Sequence, residues 1–148
     1  MNRILVVDDD EAIRILYAEE LAEEGYEVIT NAGDSQIMTL IKEKEPDLIV
    51  MDIRLGNQNG LDILQDIRNQ YYNLPVILCT AYVTYKYDLK SIAADYYVVK
   101  SSDLSELKAK IKWALESGMP LPSEPNYNER HGTKPTPMEQ TRLRWQEI

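Results

Sequence analysis

The sequence predicts an α/β fold: a doubly wound, five-stranded parallel sheet in the order 2-1-3-4-5 with helices on both faces. Three observations carry this expectation. Short apolar runs alternate with helix-like stretches along residues 1–117, the pattern of right-handed strand–helix–strand crossovers in a three-layer sandwich. The runs at 4–7, 48–51 and 76–79 are apolar without a break, as strands covered on both faces are. The second run, at 26–29, is half polar, which suits a sheet edge.

Each element has its own signal. Strand 1 is 4–7. Asp10 caps a first helix running to Gly25, with Ile13, Leu16, Tyr17 and Leu21 on one face. Gly25 stops it in the C′ role. After strand 2, Asp34 precedes a helix with Ile37, Leu40 and Ile41 inward, and Pro46 ends it before strand 3. Gly60 opens a third helix carrying Leu61, Leu64 and Ile67, and Pro75 starts strand 4, which leads to Thr80-Ala81. A fourth helix is expected at 84–93 with Leu89 and Ile92 buried, then strand 5 at Tyr96–Val99. Asp103-Leu-Ser-Glu106 reads as a capping box launching a fifth helix, with Leu104, Leu107, Ile111, Ala114 and Leu115 facing the sheet.

Beyond residue 117 the character changes. Residues 119–137 hold five prolines among Asn, Glu and Ser, which reads as an extended tail rather than a second domain. A short helix at 138–147 is the only element expected there. The domain is therefore 1–117 and the tail 118–148.

Composition excludes several classes. The 148 residues carry a formal charge of −9, and the 12 bases and 21 acids before Gly118 supply the whole excess, against 4 and 4 after it. Such a surface is poorly suited to binding DNA by itself, because phosphate neutralisation needs a Lys/Arg patch. One cysteine, Cys79, excludes an internal disulfide framework and fits a reducing compartment. No apolar stretch approaches the ~20 residues of a membrane span. The expectation is a soluble, cytoplasmic protein.

The strand ends hold the chemistry. Asp8, Asp9, Asp52, Thr80 and Lys100 each follow an apolar run, so parallel strands bring all five to the carboxyl edge, where open α/β sheets bind ligands. Three carboxylates, a hydroxyl and an ammonium describe a site for a metal and a phosphoryl group. Asp10 is read as a helix cap and left out of the site, and His131 in the tail receives no role.

Four motifs in order, Ile-Leu-Val-Val-Asp8-Asp9-Asp10, Val-Met-Asp52-Ile-Arg-Leu, Cys-Thr80-Ala81 and Tyr97-Val-Val-Lys100, resemble the receiver domain of two-component response regulators. The resemblance covers residues 1–117 and implies the flavodoxin-like form of the fold. It implies that Asp52 is a phosphoacceptor, since a carboxylate can form an aspartyl phosphate. An anionic nucleophile meeting an anionic phosphoryl group needs cations nearby. The family pattern then assigns Mg²⁺, or Mn²⁺, to Asp8, Asp9, Asp52 and the main-chain carbonyl of Arg54, with Asp8 acting mainly through water. Lys100 would pair with the acceptor carboxylate and then with phosphoryl oxygens. Thr80 would move to the phosphoryl group and Tyr97 would turn inward, coupling the site to the face of helix 4, strand 5 and helix 5.

The same resemblance implies a histidine kinase or histidine phosphotransfer protein as donor and a downstream protein as target. Tyr87 and Trp113 fall on the outer sides of helices 4 and 5, as a partner or dimer face or as a surface covered by Met119 and Leu121 of the tail. Three departures from the family stand out. Ser101 follows Lys100 in place of proline, so a trans link is expected, a cis bond there costing about 3 kcal/mol. The segment Leu55-Gly-Asn-Gln-Asn-Gly60 lacks a common proline and is expected to be more mobile. Arg54 and Tyr82, two residues after Asp52 and Thr80, are large where attacking water would enter.

No output domain fits in the 31 residues after Ser117, so the expected function is a stand-alone phosphoacceptor switch acting by protein–protein contact, not an enzyme. A phosphorylation-independent interaction module is the alternative. An aspartate-nucleophile phosphohydrolase is a more distant one, because Asp8-Asp9-Asp10 matches only the spacing of such enzymes.

Overall fold

The computed structural model describes residues 1–34, 36–81 and 94–117. Strand β1 (Arg3–Val7) leads to helix α1 (Glu11–Glu23), β2 (Glu27–Asn31) to α2 (Ile37–Lys44), and β3 (Leu48–Met51) to a small hairpin, β4 (Arg54–Leu55) and β5 (Gln58–Asn59). Helix α3 (Gly60–Gln70), β6 (Val76–Thr80), β7 (Tyr96–Val99) and α4 (Ser105–Ser117) follow. The expected fourth helix and its Leu89 and Ile92, together with the tail and its short helix, lie outside the described residues. The expected fifth helix is α4.

The main sheet has the order β2-β1-β3-β6-β7, which is the expected 2-1-3-4-5 once the hairpin is set apart. Every pairing in it is parallel, with Val7 opposite Asn31 and Met51, Met51 opposite Leu78, and Thr80 opposite Val99. The half-polar strand is at the edge, as its composition requires.

Strand alternation divides the core in two. Leu5, Val7, Ile49, Met51, Val76 and Leu78 point to the face covered by α2 and α3, where Ile37, Ile41, Leu61, Leu64 and Ile67 meet them. Ile4, Val6, Leu48, Val50, Ile77, Cys79 and Val98 point to the other face, against Tyr17 and Leu21 of α1 and Leu107 and Ile111 of α4. Burial of each large aliphatic side chain contributes about 1.5–3 kcal/mol, so both faces are strongly specified.

The helix ends match their residues with one exception. Asp10 caps α1, its side chain accepting from Ala12 N at 2.9 Å. At the other end Gly25 (φ 94) forms a Schellman closure, with Gly25 N donating to Ala22 O (3.0 Å) and Tyr26 N to Leu21 O (3.2 Å). Asp34 precedes α2 as expected; the capping position is Gln36, whose N–H donates to the Asp34 side chain at 2.9 Å. The exception is the expected capping box. Asp103 does accept from Ser105 N at 2.9 Å, but Glu106 pairs with Lys110 one turn on (2.9 Å), and Ser101 Oγ takes the Asp103 N–H. The inward face of α1 is also narrower than its spacing suggested, because Leu16 is 39 % exposed.

The hairpin replaces the loose loop expected after β3. Gly56 (φ 61) occupies the first central position of a two-residue turn, where a type II′ turn takes glycine. Leu55 is buried in the α2–α3 core. No cis peptide occurs among the described residues, as expected for Lys100-Ser101.

Candidate functional site

The sheet brings the predicted residues to one edge. Asp8 follows β1 directly, its N–H donating to Asn31 O at 3.1 Å. Asp52 follows β3, its N–H donating to Val7 O at 3.0 Å. Thr80 ends β6 and Lys100 follows β7, with Lys100 N donating to Thr80 O at 2.7 Å. These main-chain bonds continue the ladder past the strands, so the acids and the lysine start from fixed positions.

Lys100 is the electrostatic centre. Its Nζ lies 2.6 Å from Asp8 Oδ2 and 2.8 Å from Asp52 Oδ2, a bridge between two carboxylates that are only 2 % and 8 % exposed. Burial pushes the Asp8 carboxyl above its ordinary value, and the Lys100 and Asp10 hydrogen bonds offset only part of that. The Lys100 ammonium is raised: burial works against its charge, but the bonds to Asp52 and Asp8 outweigh it. Charge-assisted bonds of this kind are roughly twice as strong as neutral ones.

Asp9 completes the acidic group. Carboxylate oxygens of Asp8, Asp9 and Asp52 all lie within 4.8 Å of one another, with Asp9 on the exposed side. Hard oxygen donors, one side open to solvent, suit an ion that prefers oxygen and keeps several waters, as Mg²⁺ does. Asp9 Oδ2 accepts from Gly56 N at 3.0 Å, which ties the hairpin to the site. Arg54 begins that hairpin with an exposed side chain, two residues beyond Asp52.

Around the acids the layers are tight. Gly60 opens α3 so close to β3 that a Cβ there would lie 2.2 Å from Asp52 O. Thr80 is fully buried and Tyr97 is 5 % exposed. The expected inward turn of Tyr97 therefore meets a ring that is already inside the α2–α3 core. Beneath the site, Tyr17 Oη and Cys79 Sγ are 3.4 Å apart, and burial holds the thiol up to about 11. Trp113 is 64 % exposed on α4, as its position on the helix suggested. Tyr82 and Tyr87 lie outside the described residues.

Sequence reasoning missed two contributors. Arg14, one turn into α1, donates from Nη1 to Asp8 O at 2.7 Å. Gly56 was passed over as part of a loop, although Gly-Asn between Leu55 and Gln58 is itself a hairpin signal.

Comparison with known proteins is consistent with this geometry. A family model described as the response regulator receiver domain matches residues 4–112. Regulatory protein AtoC of Escherichia coli (strain K12) is 32 % identical over 118 residues, 78 % of this chain and 26 % of that protein. The chain spans between 26 % and 57 % of the length of the first curated relatives it matches. The response regulator TrrA of Thermotoga maritima, solved with Mg²⁺-BeF, is 44 % identical with a TM-score of 0.75, over 78 % of this chain and all of that one. TrrA bound to the histidine kinase ThkA gives 44 % identity and a TM-score of 0.72, over 78 % and 99 % of the two chains. The beryllofluoride-activated NtrC4 receiver domain, solved as a dimer, is 28 % identical with a TM-score of 0.73, over 80 % of this chain and 100 % of that one.

Proposed function

The chain belongs to the response regulator receiver domain family, a family of phosphoacceptor signalling switches, and from that premise we propose that Asp52 is its phosphoacceptor. The observation that carries this reading is the Lys100 bridge to Asp8 and Asp52 beside a three-carboxylate cluster. An Asp52 oxygen attacks phosphorus, the bond to the donor's leaving group breaks, and that group departs with the electron pair. Lys100 is within reach of the charge that shifts onto the phosphoryl oxygens, which is where fixed cations lower the barrier. A divalent ion, Mg²⁺ or Mn²⁺, would be held by Asp8, Asp9, Asp52 and the Arg54 carbonyl, and when bound it neutralises part of the phosphoryl charge. Thr80 and Tyr97 are the switch residues of this proposal, with Tyr97 responding by repacking within the core.

The donor is a histidine kinase or histidine phosphotransfer protein, a reading supported by the kinase-bound structure of TrrA. The readout is contact with a protein target or a second copy of the chain, for which Trp113 supplies exposed aromatic surface and Tyr87 is the matching position in sequence. Residues 1–117 form the receiver unit in this proposal, and residues 118–148 a separate tail. Action in the cytoplasm accords with the free, buried Cys79.

Phosphohydrolysis is disfavoured by Asp10. A second acid two residues after the first would be needed in the site, yet the Asp10 carboxylate is engaged by Ala12 N. The proposal is tested by incubating the chain with acetyl phosphate and MgCl₂ and measuring intact mass. One phosphoryl adduct, absent from Asp52→Asn, is expected. An adduct that survives Asp52→Asn, or none with either acetyl phosphate or the cognate kinase, would overturn it.

A further inference from the structure

We infer that Arg14 is a positioning residue for the divalent ion: by holding the carbonyl oxygen of Asp8 it fixes the peptide joining the two ion-binding acids, and so aims Asp9. This rests on the reading of Asp8, Asp9 and Asp52 as ion ligands. Arg14 Nη1 donates to Asp8 O at 2.7 Å, from a residue whose own N–H is secured on Asp10 O (3.1 Å) in the first turn of α1.

The sheet leaves this carbonyl to Arg14. Asp8 N donates to Asn31 O, so a continued parallel ladder would return a bond from the Gly33 N–H to Asp8 O. Gly33 N instead donates to Asn31 Oδ1 at 2.7 Å. Asp8 is 2 % exposed, and a buried carbonyl needs a partner. The other polar groups of Asp8 are already held: Oδ1 accepts from Asp10 N at 2.9 Å and Oδ2 from Lys100.

Asp9 is where the consequence falls. The Asp8 carbonyl and the Asp9 nitrogen share one planar unit, so the Arg14 bond sets the direction in which Asp9 leaves the strand. Asp8 and Asp52 are oriented by Lys100. The Asp9 carboxylate is exposed and held through the Gly56 N–H, at the far side from the strand. Arg14 thus supplies the near-side constraint on the acid that faces the incoming ion. Outer partners of metal ligands typically carry about 10–100-fold of metal affinity.

The test is Mg²⁺ titration of the full chain by isothermal calorimetry, with folding checked by circular dichroism in EDTA. Arg14→Met, which keeps the aliphatic stem, is expected to weaken Mg²⁺ binding about tenfold, and Arg14→Lys to recover part of the loss. Leu107→Ala, a destabilising control in the core between α4 and the sheet, is expected to keep wild-type affinity within about twofold. If Arg14→Met fails to fold, Arg14→Gln is read by the same criteria. A folded Arg14 variant with wild-type affinity would overturn the inference, as would an equal loss in Leu107→Ala, since affinity would then merely follow stability. If the wild-type chain itself does not bind Mg²⁺, the ligand assignment fails and this inference with it.

Discussion

Asp8 illustrates how a single side chain can be held firmly and still be costly to keep ionised. Its pKa is raised by burial, so the folded state disfavours the carboxylate. The stability linked to Asp8 is therefore fully present below the unfolded value near 3.8 and is lost as pH rises through its higher folded value. Asp8→Asn keeps the shape without the charge, and its melting temperature in EDTA at pH 7 is expected to exceed that of the wild type while Mg²⁺ binding weakens. An unchanged or lower melting temperature would contradict this sign. For Lys100, also raised, stability persists below 10.5 and is lost as pH climbs through the folded value. The residues of this site were legible because each follows an apolar run that ends at the sheet edge. Arg14 was not, because a main-chain carbonyl leaves no mark in sequence.

At the scale of elements, the entry to α3 is the tightest join near the acids. Gly60→Ala would put a Cβ 2.2 Å from Asp52 O, and backbone cannot yield as a flexible side chain can. The expected cost is about 1–3 kcal/mol, read by denaturant melts, together with slower phosphorylation as Asp52 is displaced. Asp10→Ala removes the α1 cap and should cost about 1 kcal/mol without abolishing the phosphoryl adduct. Strand limits were readable to within a residue or two, since unbroken apolar runs leave little choice of register. Capping at α4 was less readable, because Glu106 had two potential partners and the exposed turn favoured Lys110. The hairpin was missed for a similar reason: its strands are two residues each, too short for any periodicity to show.

For the whole molecule, the ion and the fold should report on each other. An ion that binds only the folded chain stabilises it by about 2.7 kcal/mol at a concentration 100 times its Kd. Thermal melts in MgCl₂ against EDTA are expected to show that rise for the wild type and to lose most of it in Asp9→Ala, whereas equal shifts in both would place the ion elsewhere. The topology was legible because alternating strand and helix signals leave few parallel arrangements. The division of the core into two faces has a further consequence. By alternation, Asp52 and Lys100 continue the rows of Val50 and Val98 on the face of α1 and α4, whereas Thr80 continues the row of Leu78, beside Tyr97, on the face of α2 and α3. The two halves of the site are thus rooted in opposite rooms of one house, with a packed wall between them. If Asp52 is modified as proposed, the bond from Lys100 N to Thr80 O is a main-chain link at the rim between the strand ends that carry the two halves.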